Sequence, residues 1–422
     1  MIENNCDLIG LGIGPFNLSL AALAQPISKI QAQFFDRKAK FDWHKELMLP
    51  GTTMQTTYLK DLVSAVNPTS PYSFLNYLVR NKLYYAFLNT GRTQISRMEF
   101  ERYCQWVCQQ LDGLFFSHPI REVQFDGQQF VIKFDEKTVY AKHICLGTGL
   151  LPHVPDCAKD FLSDHCFHAK SPYLQNFQAT KKRILIVGGG QTGAELFLNL
   201  IRAYWGEAKS VHWLSRRANL EPLDESAFVN EYFTPGYVQN FYHRPQSQKD
   251  EIAEYQKLSG DGITPGYLQD IYCEVYQRRF LQDNALDASI LPNRELTQIK
   301  RFGNEYEVSF YNKFYQQEES FFADVIILAT GFKQATPECL EPLYSRMDRN
   351  DQGQLQLNEN FRVSWDGSAK NFMYAVNFGR HSHGIAEPQI SLMSWRAAVI
   401  INDLLGFPYY DIESSSKQLI DF

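Results

Sequence analysis

The chain has no CxxC pair among its eight cysteines, and no spacing of Cys with His fits a zinc site. A dithiol redox centre is thereby excluded, and no metal is expected. Cys104 and Cys108 in "CQWVC" stand one helical turn apart and read as a buried helix face, and scattered free thiols suit a reducing cytoplasm. No basic tract stands out either. Lys and Arg number 41 against 47 Asp and Glu, a net charge of −6, which makes nucleic acid a poor partner. Long apolar runs are missing as well. Leu8 to Ala24 is interrupted by Gly, Pro, Asn and Ser and follows the acids Glu3 and Asp7, so neither a secretory leader nor a stable membrane insertion is expected. There is no short repeat and no low-complexity segment.

What is present fits a globular protein of two or three domains. The 422 residues are 44% hydrophobic and 21% charged, enough apolar material for more than one core. Aromatics reach 14%, which points to broad binding surfaces or aromatic-rich cores.

Two stretches carry dinucleotide-binding signals. "DLIGLGIGPFNLSLAAL" (Asp7–Leu23) reads as a strand, a glycine turn through Gly10, Gly12 and Gly14, and an apolar helix. Pro15 stands where the third glycine of GxGxxG belongs, a residue tolerated in a first helical turn. A second strand, "IQAQFFDR", ends at Asp36, the acid suited to a ribose hydroxyl about 20 residues on. "ILIVGGGQTGAEL" (Ile184–Leu196) repeats the pattern with Gly188, Gly190 and Gly193 all in place. Its second strand ends in Ser215, Arg216 and Arg217 with no acid, which fits a ribose 2′-phosphate. Glycine-rich strand–helix turns let backbone N–H groups and a helix N-terminus meet a pyrophosphate. The first turn is therefore expected to hold FAD and the second NADPH. With no redox CxxC, dioxygen is the electron acceptor to consider.

Strands "HICLGTG" and "DVIILATGF" each end one module in a Thr-Gly turn, and Pro152 and Pro155 mark a boundary after Gly149. The expected architecture is α/β, with two Rossmann-like dinucleotide-binding domains. Residues 1–165 plus 332–422 form the FAD domain, 166–331 the NADPH domain, and 220–282 a helical insert in the latter. Thr264 is expected to cap a helix with Pro265 at its first position, and Tyr267, Leu268, Ile271, Tyr272 and Val275 to share one stripe.

Together "GLGIGPFNLSLAAL", "WHKELMLPGTTMQTTYLKDLVSAVNPTSPYSFLNYL", "VGGGQTGAELFLN", "LDESAFVNEYFTP", "DGIT", "LATGF" and "HGIAEPQISLMSWR" resemble the microbial flavin-dependent amine N-hydroxylases of hydroxamate siderophore biosynthesis. The lysine N6-hydroxylases are the nearest branch, since "SGDGIT" (Ser259–Thr264) replaces the asparagine-bearing segment of the ornithine enzymes. Related members accept putrescine or cadaverine. The resemblance implies hydroxylation of a terminal primary amine by way of a C4a-hydroperoxyflavin, with lysine as first choice and a short diamine or histamine as alternative. It also implies a homo-oligomer, tetramer or dimer.

Its site roles follow residue by residue. Pro15, Phe16, Asn17, Trp43, His44, Gln55, Pro388, Gln389 and Ile390 join Asp36 and the first glycines at the flavin. Gln191, Thr192, Ser215 and Arg216 join the second glycines at NADPH. Lys60 matches the residue that binds the substrate carboxylate, and Asn230, Glu231, Tyr232, Phe233 and Ser391 complete the substrate set. Gln55, Lys60 and Asn230 stand nearest the chemistry. His44 and His383 read as hydrogen bonders rather than bases, and His383-Gly384 as a helix start. Lys60 is alternatively a surface lysine or a partner of Asp61. Arg97 is open between a phosphate contact and a tie for its own helix. A sulfur- or carbon-oxygenating flavoprotein and a non-enzymatic redox sensor are the rival functions; activity on sulfides or ketones marks the first, slow reduction by NADPH the second.

Overall fold

Two sheets, one mixed with a parallel centre and one parallel, organise the chain, each holding the strand before one glycine turn. The computed structural model describes residues 2–282, 286–413, 419, 420 and 422. The first module opens with β1 (Asn5–Leu11), α1 (Pro15–Ala24) and β2 (Ala32–Phe35). It continues through β3 (Thr53–Thr57), α2 (Phe74–Arg80), α3 (Tyr84–Leu88), β4 (Gln94–Ser96) and α4 (Arg97–Cys108). Then come β5 (Leu114–Phe115), β6 (Glu122–Phe125), β7 (Phe130–Lys133) and β8 (Thr138–Leu146). A connector with β9 (Leu151–Pro152) leads to β10 (Cys166–His168), β11 (Arg183–Val187), α5 (Gln191–Ile201) and β12 (Ser210–Leu214). Four helices follow: α6 (Pro235–Tyr242), α7 (Gln246–Tyr255), α8 (Leu258–Asp261) and α9 (Pro265–Leu281). The second module ends with β13 (Asp287–Leu291), β14 (Arg294–Phe302), β15 (Glu305–Asn312), β16 (Gln317–Ala323) and β17 (Val325–Leu328). After β18 (Phe332–Lys333), the chain returns to the first module with β19 (Met373–Ala375), α10 (Arg380–His383) and α11 (Met393–Leu405).

The first sheet has the order β5-β2-β1-β8-β7-β6, with β19 also on β8. Its centre, β2-β1-β8, is parallel, and β8 shares one long partner run with β1 from Tyr140 to Leu146. The antiparallel strands β6 and β7 were not foreseen from the sequence. β7 pairs the Thr138–Ala141 half of β8 and β6 pairs β7, while β19 pairs Ile144–Leu146. α1 covers one face so completely that nine of its ten residues are buried, and it packs against α11. A helix buried all round needs no polar face.

The second sheet is parallel throughout, in the order β10-β17-β11-β12-β13. "RILIV" and "VIIL" read as unbroken apolar runs because both faces are covered. α5 and α9 cover one face. The other is covered by an antiparallel layer, β14-β15-β16, whose Ile299, Tyr306, Val308 and Phe310 pack on Leu185, Val187 and Leu328. β9 and β18 pair with each other, so the outgoing and returning connectors are tied side by side.

The 220–282 stretch is helical as expected, but two details differ. Thr264 occupies the N-cap of α9 with Pro265 at the first position, yet its side chain makes no capping bond. Its backbone N–H instead donates to Gln191 Oε1 at 2.8 Å, so a neighbouring element fixes the helix start. Tyr272 leaves the expected stripe. It is largely exposed, whereas Ile271 is buried and Tyr267, Leu268 and Val275 pack on the second core.

Candidate active site

The first glycine turn is built by close approach. A Cβ on Gly10 would lie 2.1 Å from the Phe34 ring, and Gly12 adopts φ +89° with its absent Cβ facing Gly147 O at 2.7 Å. Gly14 caps α1 and Pro15 takes the first helical position, so the missing N–H costs no helical bond. A Cβ on Gly14 would meet nothing nearer than Gly147 O at 3.9 Å, which leaves the helix N-terminus open to an anion. Asp36 ends β2 nearly buried. It accepts the Ile13 N–H at 2.9 Å and the Lys38 N–H at 2.9 Å, and its remaining lone pairs suit a ribose diol. These residues fit a dinucleotide.

Asn17 is buried behind the turn, with its Oδ1 unpartnered among the described residues. Its amide donates to Leu11 O at 3.2 Å and Gly12 O at 2.8 Å, so both donors brace the turn from inside. Phe16 lies under the Arg396 guanidinium, 4.7 Å from ring centre to Cζ.

The second turn is tighter. Gly188 (φ +131°) would place a Cβ 2.1 Å from Ala329 O. A Cβ on Gly193 would be 2.1 Å from Gly188 O and 2.7 Å from the Trp213 indole nitrogen, the close strand–helix packing that the third glycine serves. Gly190, the N-cap of α5, faces open space within 4 Å. Thr192 is half-buried in the first turn of α5. Past β12, Ser215 is buried and its Oγ accepts the Arg217 N–H at 3.2 Å. The two arginines then divide. Arg217 donates to Asp261 O at 3.0 Å, while Arg216 is exposed and makes no ion pair among the described residues. Arg216 is thus the cation open to a 2′-phosphate.

Between β3, β4, α2 and α4 lies a small cleft, lined by Met54, Thr56, Tyr58, Lys60, Phe100 and Ile390 among others. Gln55 sits half-buried on β3 beside it. Lys60 is half-buried in this largely apolar wall, and desolvation holds its ammonium below the usual lysine range. It does not pair with Asp61. That carboxylate is saturated by the N–H groups of Val63, Ser64 and Phe74 and by the Ser64 hydroxyl. Among the described residues no carboxylate lies within 4.0 Å of Lys60 Nζ.

The C-terminal segment closes the same region. Pro388 and Gln389 lead into a 3-10 turn, Ile390–Leu392, and Ser391 Oγ is buried with no partner among the described residues. Gln389 Nε2 reaches within 3.6 Å of where a Gly260 side chain would begin, so the insert meets this turn. His383-Gly384 is a helix end rather than a start. α10 finishes at His383, and Gly384 adopts φ +81° as its cap, a conformation glycine permits. His383 stacks on Phe361 at 4.3 Å. Burial holds it at about 3, and burial with Lys170, Arg97 and Lys38 holds His44 there too. Both imidazoles are therefore uncharged at neutral pH. Trp43 packs edge-on against His44 and Phe100.

The insert segment is brought in only partly. Phe233 packs against the first module's core, and Tyr232 lies 5.0 Å from Tyr237 in the 3-10 turn Val229–Phe233 that also carries half-buried Glu231. Asn230 is exposed, and its amide turns back to Glu225 O at 3.3 Å.

Three groupings escaped the sequence reading. Arg396, 2% exposed, donates to Glu387 O at 2.6 Å and holds the flavin-side turn from within. Glu195, fully buried on α5, pairs with Arg97 on α4. Asp261 reaches Arg380 at 3.3 Å. Only Glu195 left a signal, an acid on an otherwise apolar helix face. Among the described residues no His/Cys/Asp/Glu cluster could hold a metal, and no helix is long and apolar enough to cross a membrane.

A family profile described as L-lysine 6-monooxygenase/L-ornithine 5-monooxygenase matches residues 4–334. An L-lysine N6-monooxygenase from Escherichia coli is 40% identical over 413 residues, 97% of each chain. A putrescine N-hydroxylase from Acinetobacter baumannii is 32% identical, covering 96% of this chain and 91% of its own. The crystal structure of a cadaverine monooxygenase of desferrioxamine biosynthesis from Erwinia amylovora, bound to FAD, superposes with a TM-score of 0.92. That match has 25% identity and covers 100% of this chain and 99% of the other.

Proposed function

The chain belongs to the L-lysine 6-monooxygenase/L-ornithine 5-monooxygenase family, and we propose that it hydroxylates N6 of L-lysine with FAD, NADPH and dioxygen for a hydroxamate siderophore. Residues 1–165 with 332–422 serve the flavin, 166–331 the coenzyme, and 220–282 the substrate. The balanced reaction is R–NH2 + O2 + NADPH + H⁺ → R–NHOH + NADP⁺ + H2O.

Lys60 carries the choice of substrate. An unpaired, half-buried ammonium in an apolar cleft attracts a carboxylate and repels a second ammonium. Lysine supplies the carboxylate; cadaverine and putrescine offer a cation there instead.

Bound flavin supplies the reducing electrons taken from NADPH and the activated oxygen atom. The protein's own residues do the rest. Gly10, Gly12, Gly14 and Asp36 seat the flavin's nucleotide end, and Gly188, Gly190, Gly193 and Arg216 seat NADPH. Ile390 lines the cleft, Gln55 lies between the lining residues Met54 and Thr56, and Pro388, Gln389 and Ser391, whose hydroxyl is uncommitted, flank Ile390; these are the residues that would face the flavin ring. The substrate's terminal amine must be neutral to attack, although it normally titrates at about 10.4. The walls of Met54, Phe100 and Ile390 disfavour the charged form and exclude water. No side-chain base is required. The fold presents exposed Leu75, Val79, Tyr85 and Leu88 on α2 and α3, and a cytoplasmic homo-oligomer, dimer or tetramer, completes the proposal; light scattering decides its size.

The test is a panel of L-lysine, L-ornithine, putrescine, cadaverine and histamine, scoring hydroxylamine formed per NADPH oxidised. Lysine leads, and Lys60→Ala raises its KM at least tenfold while leaving cadaverine within about threefold. A diamine that outperforms lysine with intact Lys60 overturns the substrate assignment.

A further inference from the structure

We propose that Arg97 and Glu195 form a positioning pair that docks the NADPH module on the flavin module and neutralises a buried carboxylate beside the coenzyme's phosphates. The inference rests on the FAD and NADPH assignment above.

Arg97 is the first residue of α4, in the first module. A cation at a helix N-terminus opposes the helix dipole, so α4 gains nothing from it there. The helix start is already held by a capping box in which Ser96 Oγ accepts the Glu99 N–H and Glu99 returns a bond to the Ser96 N–H. The guanidinium keeps one long bond in its own module, Nη1 to Leu47 O at 3.4 Å, and otherwise reaches into the other. Nη1 and Nη2 donate in parallel to Glu195 Oε2 and Oε1 at 2.9 and 2.7 Å, the two-pronged geometry arginine favours. Glu195 is fully buried on α5, in the second module.

The contact continues beyond the pair. Gln191 Nε2 donates to Glu195 Oε1 at 3.0 Å, and Gln191 Oε1 accepts the Thr264 N–H at 2.8 Å. Gln191 is the first residue of α5, directly after Gly190. One run of bonds therefore joins α4, the helix N-terminus that would receive the pyrophosphate, and the start of α9. Glu195 lies one helical turn beyond Gln191. Left alone there, a carboxylate repels an anionic coenzyme; paired with Arg97 it carries no net charge.

The facing titratable groups are few. Arg97 comes from α4 and the Tyr267 phenol, pushed up to about 12 mainly by burial, from α9. His44, near Arg97, is neutral at working pH. Burial pushes the Glu195 carboxyl up, while Arg97 and Gln191 pull it down. Without Arg97 the carboxylate is expected to take up a proton at higher pH, so any harm it does weakens as pH falls.

The test compares wild type, Arg97→Gln, Glu195→Gln, the double amide variant and Arg97→Lys. The readings are NADP⁺ affinity by calorimetry, anaerobic flavin reduction by NADPH or by dithionite, and hydrogen exchange of α5 in the coenzyme-free chain. Arg97→Gln is expected to weaken NADP⁺ binding and slow NADPH reduction at least tenfold at pH 8, less at pH 6. Dithionite reduction stays within twofold, and the first turn of α5 exchanges faster. The double variant, with no charge to bury, recovers to within about threefold of wild type, and Arg97→Lys falls between. If Arg97→Gln does not fold, the double variant and Arg97→Lys carry the comparison. Unchanged α5 exchange, or a double variant no better than Arg97→Gln, overturns the positioning pair. A wild-type flavin that NADPH does not reduce overturns the functional assignment instead, and the exchange result still stands on its own.

Discussion

The two glycine turns do one job by different routes. In the second, α5 begins directly after Gly190, and Gly193 lies inside the helix, where its missing side chain lets the backbone of Gly188 and the Trp213 indole press in. In the first, Pro15 occupies the position matching Gly193. A proline cannot lie inside a helix without a clash and a lost bond. The helix therefore starts two residues later in the motif, with Pro15 at its first position. The wider turn frees the Ile13 N–H for Asp36, and Asn17 supplies the bracing that close packing supplies elsewhere. The altered fingerprint is thus a rebuilt turn, and the lesson is that the third glycine serves packing, while Gly12 and Gly188 serve the path of the chain.

The largest effect expected from this contrast is Gly193→Ala. Its methyl group would sit 2.1 Å from backbone oxygen, and overpacking of this kind costs about 3 kcal/mol or more. Gly14→Ala, with 3.9 Å of room, should fold like wild type. Thermal melts separate the two; equal losses would erase the distinction between the turns.

Acid sharpens the comparison between modules. His143 and His383 in the first module are held at about 3, mainly by burial, whereas His168 in the second is held at about 4. Between pH 6.5 and those values the unfolded chain binds protons that the folded chain refuses. Stability is therefore full above pH 6.5 and falls as pH drops, by about 1.4 kcal/mol per unit for each such group. His143 Nδ1 accepts the Phe372 N–H at 3.0 Å, and His143→Asn, which cannot titrate, should flatten the slope by about one proton. An unchanged slope in acid melts would remove His143 from the account.

A smaller effect belongs to Arg216. Charged hydrogen bonds to a phosphate are worth about 1.5–3 kcal/mol, so Arg216→Gln should cut the preference for NADPH over NADH by about 10- to 100-fold. Ratios of kcat/KM check this, and an intact preference would return the role to Arg217. The smallest is Pro15→Gly, which restores the orthodox motif and should cost about 1 kcal/mol through the freed unfolded chain. A stabilised variant would show that the proline had been only a burden.

Local pattern made much of this readable in advance. β1, α1 and β2, the three glycines before α5, and Asp36 and Arg216 at their strand ends all follow from periodicity and spacing. What escaped depends on partners far along the chain. β19 joins β8 across more than 220 residues, and β14–β16 supply a whole covering layer with ordinary alternation. The start of α9 is set by Gln191, not by its own threonine. Arg97 could not be assigned until Glu195 stood opposite it, 98 residues away in sequence. Asn230 rests on the resemblance alone, and its amide donates to Glu225 O within its own loop.

The division of labour between the turns is tested most directly by Gly190→Ala. The added methyl group meets nothing in the folded chain, but it stands where the coenzyme's phosphates must approach. The account predicts a yellow protein with full flavin content and an unchanged melting point, whose reduction by NADPH is slowed at least tenfold. Loss of flavin with NADPH reduction of the remaining cofactor intact would contradict it.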